Sequence, residues 1–577
     1  MSGSNDVTVP EPASSKGMSV PQLLVAAPAF GAVVVCDEGL SFWGGVDPVD
    51  GRIVDTYHPQ CGVSLAGSVA LMPSSRGSCS GSGVLLELAL NGKAPAALVF
   101  RDAEDVLTLG ALVATRMFAR PLAVVRLPAA DYNRLTREPT ASIRGTQLTA
   151  GDVTIDLMPL DLGALALSHA DRSKLAGTDG DAVRLAMQVL CDVATIQGAD
   201  TLIDVTRAHI DGCIYASPAN LTFAERLADM GARVAIPTTM NAISVDRDNW
   251  ERQRVPAALG VPASRLADAY VRMGAAPTFT CAPYQADDRP GVDEPVGWSE
   301  SNAVIYANSV LGARTVKHPD FLDLFIALTG RAPRAGVYLD GNRNPDLIID
   351  VALPEGCDDA VWALLGWLVG ALAPNRIPLL RGLEHTDPHA DDLRAVCAAF
   401  GTTSASPMLH IAGVTPESAL PPKPGAPVLS LSRVDFRRAW DTFNTGSSRV
   451  ELVALGSPHF SLNETRQFAA LVDGTRCDEY TTTLITLSRA THAQAAREGL
   501  LDTLTDAGVQ VVTDLCWCSI SEPVFPPAAR TLMTNSGKYA HYGPALSGRD
   551  VRFGGLAACA RAAQTGLADD TVPDWLT

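Results

Sequence analysis

The sequence has no dense block of basic residues and no apolar run long enough to cross a bilayer. Its 577 residues carry 45 Lys and Arg against 63 Asp and Glu, a formal net charge of −18. Nucleic-acid binding needs clustered positive charge to neutralise a row of phosphates. A membrane-spanning helix needs about 18 to 20 consecutive apolar residues. We therefore expect no nucleic acid and no membrane as partner, and a small molecule held by a few buried groups as ligand.

Cysteine is scarce as well, with 12 in the chain. This density is too low for a disulfide scaffold. Residues 1–17 are rich in Ser, Pro and acidic side chains and lack the apolar core of a secretory signal, so we expect a disordered tail on a cytoplasmic protein. Thiols in that compartment stay reduced and are available as metal or cluster ligands.

The chain is long enough for several domains, and 47% hydrophobic residues are typical of packed globular proteins. Residues 18–128 alternate short β-branched runs with helices, one of them over 83–91, which predicts a small α/β domain. Residues 129–158 lack sustained periodicity and are predicted to form a linker. Helices and strands then alternate from 159 to 577, with a strand predicted over 233–236. This alternation indicates a large α/β domain built of subdomains.

The densest polar motif of the small domain is the run RGSCSGSG at 76–83, between an apparent strand and a helix. Its glycines let backbone approach a ligand, and its hydroxyls and free helix-start amides favour an anion. A flexible Gly/Ser loop is the alternative reading. The nearest approach to a hydrolase nucleophile elbow, GSCSG at 77–81, has Cys at its centre and no matching His and Asp order. A metal-free hydrolase is therefore disfavoured.

Three cysteines of the large domain stand at apparent strand ends or turns: Cys213, Cys281 and Cys516. Thiolates that converge in space can hold an iron–sulfur cluster, although a lone cytosolic cysteine is more often a buried small hydrophobe. Near the C-terminus, the run MTNSGKYAHYG at 533–543 places Ser536 and Lys538 together, a pair that could grip a carboxylate. A polar helix start is the alternative.

Two further polar runs interrupt apolar stretches. PTTMN at 237–241 supplies Thr238 and Asn241, and ESNAVIYANSVLG at 300–312 supplies Asn302. Buried amides and hydroxyls need partners, so these side chains are candidates for substrate contacts.

These segments together resemble the aconitase X family. In the first domain the resemblance is carried by LSFWGGVD at 40–47, HPQ at 58–60, SLAG at 64–67 and the loop at 76–83; in the second, by FTCAPY at 279–284, ESNAV at 300–304, ANSVLGART at 307–315, GVTP at 413–416 and TNSGKYAHY at 534–542. It covers nearly everything from residue 18 to about residue 555.

The resemblance implies an iron–sulfur dehydratase with a small swivelling domain over an α/β body. The family has two branches. One, of two separate chains, dehydrates mevalonate 5-phosphate. The other, fused small-then-large as here, dehydrates cis-3-hydroxy-L-proline and is expected to be a monomer. The fused order favours the second activity. An iron-responsive RNA-binding regulator, by analogy with some aconitases, is disfavoured by the net charge.

The resemblance also implies the ligand set. Cys281 and Cys516 match cluster positions, whereas Ser457 stands where the two-chain branch has a cysteine. We therefore expect Cys213 as the third ligand, with Cys357 and Cys518 as alternatives. Loss of one thiolate points to a [2Fe–2S] cluster, as expected for the fused branch.

Enzymes of the aconitase type present a serine from the swivelling domain as base, which implies Ser78 or Ser80 here. Arg76 could lower the pKa of that hydroxyl or hold the substrate carboxylate, and Ser82 of the same loop is a candidate substrate contact. Lys538 completes the predicted catalytic set.

Overall fold

The computed structural model describes residues 20–55, 58–76 and 79–577 and shows a mixed α/β architecture of four structural units. The predicted disordered tail, residues 1–17, and Ser78 lie outside the described residues. Within these residues, no helix combines the length and the apolar character that a bilayer crossing requires.

The N-terminal unit is a nine-stranded sheet with three helices. Its elements are Gln22–Val25 (β1), Ala29–Val35 (β2), Val69–Met72 (β3), Gly81–Leu90 (α1), Ala97–Phe100 (β4), Val106–Phe118 (α2), Ala123–Arg126 (β5), Ala129–Leu135 (α3), Thr140–Arg144 (β6), Gln147–Ala150 (β7), Val153–Asp156 (β8) and Met158–Pro159 (β9). The order is β8-β7-β6-β2-β3-β4-β5-β1-β9, with β2 to β5 parallel.

Both faces of the central strands β3 and β4 are buried, and successive residues of each strand point to opposite sides of the sheet. Ala70, Met72 and Leu98 pack into the core that holds α1 and α2. Their neighbours Val69 and Leu71 pack into a second core on the other face. The continuous apolar runs of β3 and β4 follow from this two-sided burial.

The prediction of a linker over 129–158 is wrong. This segment forms α3 and the strands β6, β7 and β8, and β6 pairs antiparallel with β2 through Ala29↔Ile143 and Ala32↔Thr140. Its alternating burial, as in Val153 and Ile155, makes it part of the sheet. Polar outward-facing residues hid the period-2 pattern, which is typical of an edge meander with one solvated face.

The second unit contains two small sheets surrounded by helices. Its elements are His169–Leu175 (α4), Asp181–Ile196 (α5), Leu202–Asp204 (β10), Ala208–Ile210 (β11), Pro218–Asp229 (α6), Thr238–Met240 (β12), Ala257–Arg272 (α7), Gly297–Trp298 (β13), Ser301–Tyr306 (α8), Leu322–Thr329 (α9) and Arg331–Pro333 (β14). Strands β12-β11-β13 form a parallel sheet. The strand predicted over 233–236 is absent, and the chain pairs two residues later, as β12.

The third and fourth units are parallel sheets with flanking helices. Their elements are Leu347–Val351 (β15), Ala360–Leu372 (α10), Pro378–Arg381 (β16), Ala390–Thr403 (α11), His410–Ile411 (β17), Val428–Leu431 (β18), Arg433–Phe443 (α12), Leu452–Phe460 (β19), Leu462–Val472 (α13), Thr482–Leu487 (β20), Arg489–Arg497 (α14), Leu500–Asp506 (α15), Gln510–Thr513 (β21), Thr531–Thr534 (β22), Gly537–Ser547 (α16), Asp550–Phe553 (β23) and Leu556–Thr565 (α17).

Strand order in the last sheet is β21-β20-β19-β22-β23. The order therefore reverses between β19 and β22. In parallel sheets, ligands bind outside the carboxyl ends of the strands at such a switch point. The residues that follow β19 and β22 are therefore candidates for ligand binding.

The N-terminal unit is docked on the second unit through helices α1 and α2. Arg116 of α2 makes a bidentate ion pair with the buried Asp192 of α5, with N–O distances of 2.5 and 2.9 Å. Glu87 of α1 accepts a hydrogen bond of 2.7 Å from the backbone N–H of Ala219, at the first turn of α6. A single apolar core runs across both units.

Replacing Arg116 by Met is expected to leave the Asp192 carboxylate buried without its partner. Because the Arg116 side chain keeps 37% of its surface exposed, solvent screening holds the cost to about 1–3 kcal/mol. Calorimetry should show a transition lowered by about 2–4 °C per kcal/mol. The double variant Arg116→Met/Asp192→Leu should recover most of this loss, since no charge is then left unpaired.

The exposed pair Arg134–Asp131 on α3 is the matched control. Arg134→Met should change the transition temperature little. An Arg116→Met variant as stable as this control would contradict the proposed role of the pair in docking.

Candidate functional site

Three polar side chains follow the carboxyl ends of the parallel strands β11, β12 and β13. They are Asp211, Asn241 and Glu300. The Asn241 amide donates to the Asp211 carboxylate and, at 3.1 Å, to Glu300 Oε2. The sheet thus brings residues that are 89 positions apart in sequence, Asp211 and Glu300, onto one amide group.

Glu300 forms a buried ion pair with Lys538, which lies in the first turn of α16 directly after β22. The Nζ–Oε1 distance is 2.8 Å, and the two side chains are 11% and 9% exposed. Burial opposes ionisation of Glu300, but the Lys538 ammonium and hydrogen bonds from Asn302 lower its pKa to about 2. The pair therefore stays charged, and it joins the second unit to the fourth.

The predicted substrate contact Asn302 is used to hold this pair. Its Nδ2 donates to Glu300 Oε1 at 2.6 Å and to the Cys281 carbonyl at 3.0 Å, and its Oδ1 accepts from Tyr284 at 2.7 Å. Both amide hydrogens and the amide oxygen are thus engaged. Asn302 orients Glu300 and the chain at Cys281.

Cys281, Cys516 and Cys518 interact electrostatically with one another and with Lys538. Burial, first of all, raises the pKa of Cys281, and the Cys516 thiol adds to this. The hydrogen bond between Cys516 and Cys518 raises the pKa of the first and lowers that of the second, so Cys518 is the preferred thiolate of the pair. Two segments far apart in sequence, one from the second unit and one from the fourth, thus contribute thiols to the same place.

His459, at the end of β19, lies against these thiols. Its backbone N–H donates to Cys281 Sγ at 3.3 Å, and its Nε2 lies 2.7 Å from the Leu515 carbonyl. Since a carbonyl only accepts, Nε2 carries the proton. Burial lowers the pKa of His459 to about 4, so the ring is neutral. This histidine fixes the backbone beside Cys281 and Cys516.

Cys213 occupies different surroundings from the other two predicted ligands. It is fully buried in the apolar core, and its thiol donates to the Ile210 carbonyl at 3.3 Å. Burial first, and then Asp323 and Asp211, raise its pKa. The structure therefore joins Cys518, one of the two alternatives, to Cys281 and Cys516, and leaves Cys213 on the side of the carboxyl groups. The other alternative, Cys357, lies beside Asp358.

The loop of the N-terminal unit reaches this site through Cys79, Ser80 and Ser82. The buried Cys79 thiol lies 4.0 Å from the Ser299 carbonyl, just before Glu300. The Ser80 hydroxyl faces the carboxyl group of Asp320 and lowers the pKa of that group. Ser82 is fully buried, and its hydroxyl lies 3.2 Å from the carbonyls of Cys79 and Asp320. Ser82 thus fixes the loop on the body in this closed arrangement.

Arg76, predicted to hold a carboxylate, does so within its own unit. Its guanidinium pairs with Glu38 at 3.1 Å and with Asp55 at 3.2 Å, and 45% of the side chain is exposed. Ser78, the second predicted base, lies outside the described residues.

The remaining predicted substrate contacts lie at different ends of their strands, so only some of them reach the site. Asn241 is at the carboxyl end of β12, whereas Thr238 is at the opposite end of that strand, where its hydroxyl donates to the Ile236 carbonyl at 2.8 Å. Ser536 accepts the Tyr539 N–H at 3.0 Å and donates to the Ser457 carbonyl. It caps α16 and so positions Lys538 at the switch point between β19 and β22.

Sequence reasoning missed the carboxyl groups. Besides Glu300, the structure brings Asp211, Asp320 and Asp323 together at this site; Asp320 and Asp323 are buried, and Asp211 is half-buried. Burial, and then Asp323, raise the pKa of Asp320 to about 7, and burial raises that of Asp323 to about 6. The available signal was the position of Asp211 and Glu300 directly after short apolar strands. Asp320 and Asp323 lie in or next to an irregular segment, and no sequence pattern marked them as site residues.

Four family models together match most of the chain. They describe the aconitase X swivel domain (residues 20–151), first domain (164–341), second domain (345–441) and third domain (450–565). These ranges correspond to the four structural units, and the predicted fold class, an N-terminal swivelling domain on a large α/β body, is confirmed.

Full-length relatives agree with the models. A cis-3-hydroxy-L-proline dehydratase of Pseudomonas aeruginosa is 48% identical over 97% of this chain and 98% of its own length. One of Hypocrea jecorina is 44% identical over 95% of this chain and 96% of its own. The crystal structure of Thermococcus kodakaraensis aconitase X in its holo form is 28% identical, covers 69% of this chain and 100% of its own, and superposes with a TM-score of 0.64. The chain therefore belongs to the aconitase X family.

Proposed function

We propose that this protein is a hydro-lyase that removes water from cis-3-hydroxy-L-proline to give Δ1-pyrroline-2-carboxylate. The observation that carries the proposal is that three thiols, the buried Lys538–Glu300 pair and a serine from the swivel domain lie at one site. Two relatives named for this activity match the chain along nearly its whole length.

The substrate sets a geometric demand. In cis-3-hydroxyproline the hydroxyl and the carboxylate share one face of the ring, so the Cα hydrogen lies on the other face. The leaving group must be activated on one side and the proton removed on the other. A site built between a body and a docked domain can supply both sides, which supports this substrate class.

We infer that Cys281, Cys516 and Cys518 hold an iron–sulfur cluster of the [2Fe–2S] type. Among the described residues, no three His, Cys, Asp or Glu side chains are placed to hold a single metal ion. The donor set nevertheless fits a cluster, because the thiolates of a cluster need not all meet at one metal atom. When bound, the cluster would supply a Lewis acid for the leaving hydroxyl.

Lys538 is suited to hold the substrate carboxylate. An ammonium group has three donors, and among the described residues Glu300 accepts from it. The remaining donors can stabilise the enediolate charge that develops as the Cα proton leaves, which matters because this proton is weakly acidic. Loss of water then gives an enamine that tautomerises to the product.

Ser80 is our candidate for the base, because its hydroxyl is presented to the body from the docked loop. Domain closure buries this loop against the second unit and so excludes water from the site. Opening and closing of the swivel domain would then admit substrate and release product.

Mevalonate 5-phosphate is the rival substrate. The site adjoins the carboxyl groups of Asp320 and Asp323, whose pKa values of about 7 and about 6 leave negative charge at neutral pH. A negative surrounding of this kind disfavours a phosphate dianion. It favours a substrate that carries an ammonium group.

The decisive experiment compares both substrates on protein purified without oxygen and assayed for iron and sulfide. We expect turnover of cis-3-hydroxy-L-proline, read by trapping the cyclic imine, and little turnover of mevalonate 5-phosphate. Preference for the phosphate would overturn the substrate, and full activity of iron-free protein would overturn the cluster.

Replacing Cys518 by Ser tests the ligand set. The variant is expected to lose most of its bound iron and the visible absorption of the cluster, as should Cys281→Ser and Cys516→Ser, since each removes a thiolate. Cys213→Ser is the control, because Cys213 is a buried thiol of the same body domain as Cys281 but lies in the apolar core. Loss of iron from Cys213→Ser together with retention of iron in Cys518→Ser would contradict the assignment of Cys518 as the third ligand.

A further inference from the structure

Asp320 of the body makes two backbone hydrogen bonds to the docked loop of the swivel domain. Its backbone N–H donates to the Cys79 carbonyl at 3.4 Å, and its carbonyl oxygen accepts from the Ser82 hydroxyl at 3.2 Å. Its carboxyl group faces the Ser80 hydroxyl, which favours the ionised form and so lowers the pKa of the carboxyl group. Asp320 thus fixes both the path of the loop and the direction of the serine.

The Ser80 hydroxyl is not engaged in helix capping, although Ser80 occupies the N-cap position of α1. Serines at this position commonly accept a backbone N–H of the first turn, as Ser168, Ser461 and Ser536 do in this chain. The Ser80 side chain makes no such bond. Docking therefore sets the Ser80 hydroxyl opposite the Asp320 carboxyl group, and undocking of the loop separates the two groups.

The Asp320 carboxyl is placed to receive a proton. It is 2% exposed, and its Oδ1 has no hydrogen-bond partner among the described residues. The charged groups that face it are Asp211, Asp323 and Glu300, together with the Cys79 thiol that Lys317 influences. Burial first, and then the charges of Asp323 and Glu300, raise the pKa of Asp320 to about 7, although Ser80 and Asp211 act in the opposite direction. A base whose pKa lies near the working pH is the most effective.

We propose that Asp320 is the proton acceptor of Ser80, so that the serine becomes a base only while the swivel domain is docked. This inference rests on the proposed dehydration. As the Ser80 oxygen takes the Cα hydrogen, its own hydroxyl proton passes to Asp320. The electrons of the Cα–H bond form the double bond as the C3–O bond breaks. The departing hydroxide and the proton held by Asp320 together make up the water that is lost.

Asp320→Asn tests the relay, because the amide oxygen can still accept the Ser80 hydroxyl but cannot take its proton. We expect kcat to fall about 10²- to 10⁴-fold with KM little changed, and the isotope effect of Cα-deuterated substrate to rise. The kcat of Ser80→Ala should fall by a similar factor. The double variant should be no slower than Ser80→Ala, since residues that act as a unit are not additive. Asp320→Glu should restore part of the rate.

Glu104→Gln is the matched control. Glu104 is also buried and accepts a serine hydroxyl, that of Ser75 at 2.5 Å, but lies entirely within the swivel domain. Its kcat should stay near the wild-type value. Hydrogen exchange of the 79–90 segment should be unchanged in Asp320→Asn.

Two outcomes overturn the relay alone: an unimpaired Asp320→Asn, or a loss of rate that accompanies faster exchange of the loop, which would reveal a purely structural role. The kinetics are measured with whichever of the two substrates the wild type dehydrates, so a wrong substrate assignment leaves the relay tested. Cluster-loaded wild type that dehydrates neither overturns both proposals.

Discussion

The buried Lys538–Glu300 ion pair is the interaction on which the site depends. Glu300 comes from the carboxyl end of a strand in the first body domain, and Lys538 from the switch point of the third. Removing either partner would leave a charge in a region with little water, at a cost well above that of a surface pair. The pair therefore fixes how two domains meet, and the amide of Asn302 carries this order to the chain at Cys281.

Around the pair, charge is divided between two sides. The thiols and the Lys538 ammonium lie on the side of the third domain, and the aspartates lie toward the swivel loop. Asp323 is stabilised by backbone amides, among them the N–H of Asp211 at 2.7 Å. Asp320 keeps one carboxyl oxygen, Oδ1, without a hydrogen-bond partner in the described part of the chain. The two neighbouring carboxyl groups thus differ in their hydrogen bonding. Asp323 is held by the backbone, whereas Asp320 can take part in proton transfer.

How much could be predicted from the sequence depended on local signals. The helix expected over 83–91 is α1, Gly81–Leu90, because an apolar run after a glycine-rich loop specifies it. The motif resemblance located Cys281 and Cys516. It could not identify the third ligand, since cluster ligands converge through tertiary contacts. Only the packing of the fourth unit, which brings Cys518 to Cys281 and Cys516, led us to propose Cys518 in place of Cys213. Asp320 was missed for the same reason, and the edge meander β6 to β8 was missed because its pattern is half polar.

Strand β9 limits how far the swivel domain can travel. It pairs with β1 at Gln22↔Met158 and Leu23↔Pro159, so the chain stays attached to the swivel sheet up to Pro159. Ala166 is already paired with Thr201 of the second unit. Six residues, 160–165, therefore form the tether between the two bodies. Fully extended, such a tether spans about 20 Å, which sets the upper limit of the separation and keeps the loop at high local concentration over its docking site. A fused chain of this design closes by a first-order step that dilution does not slow.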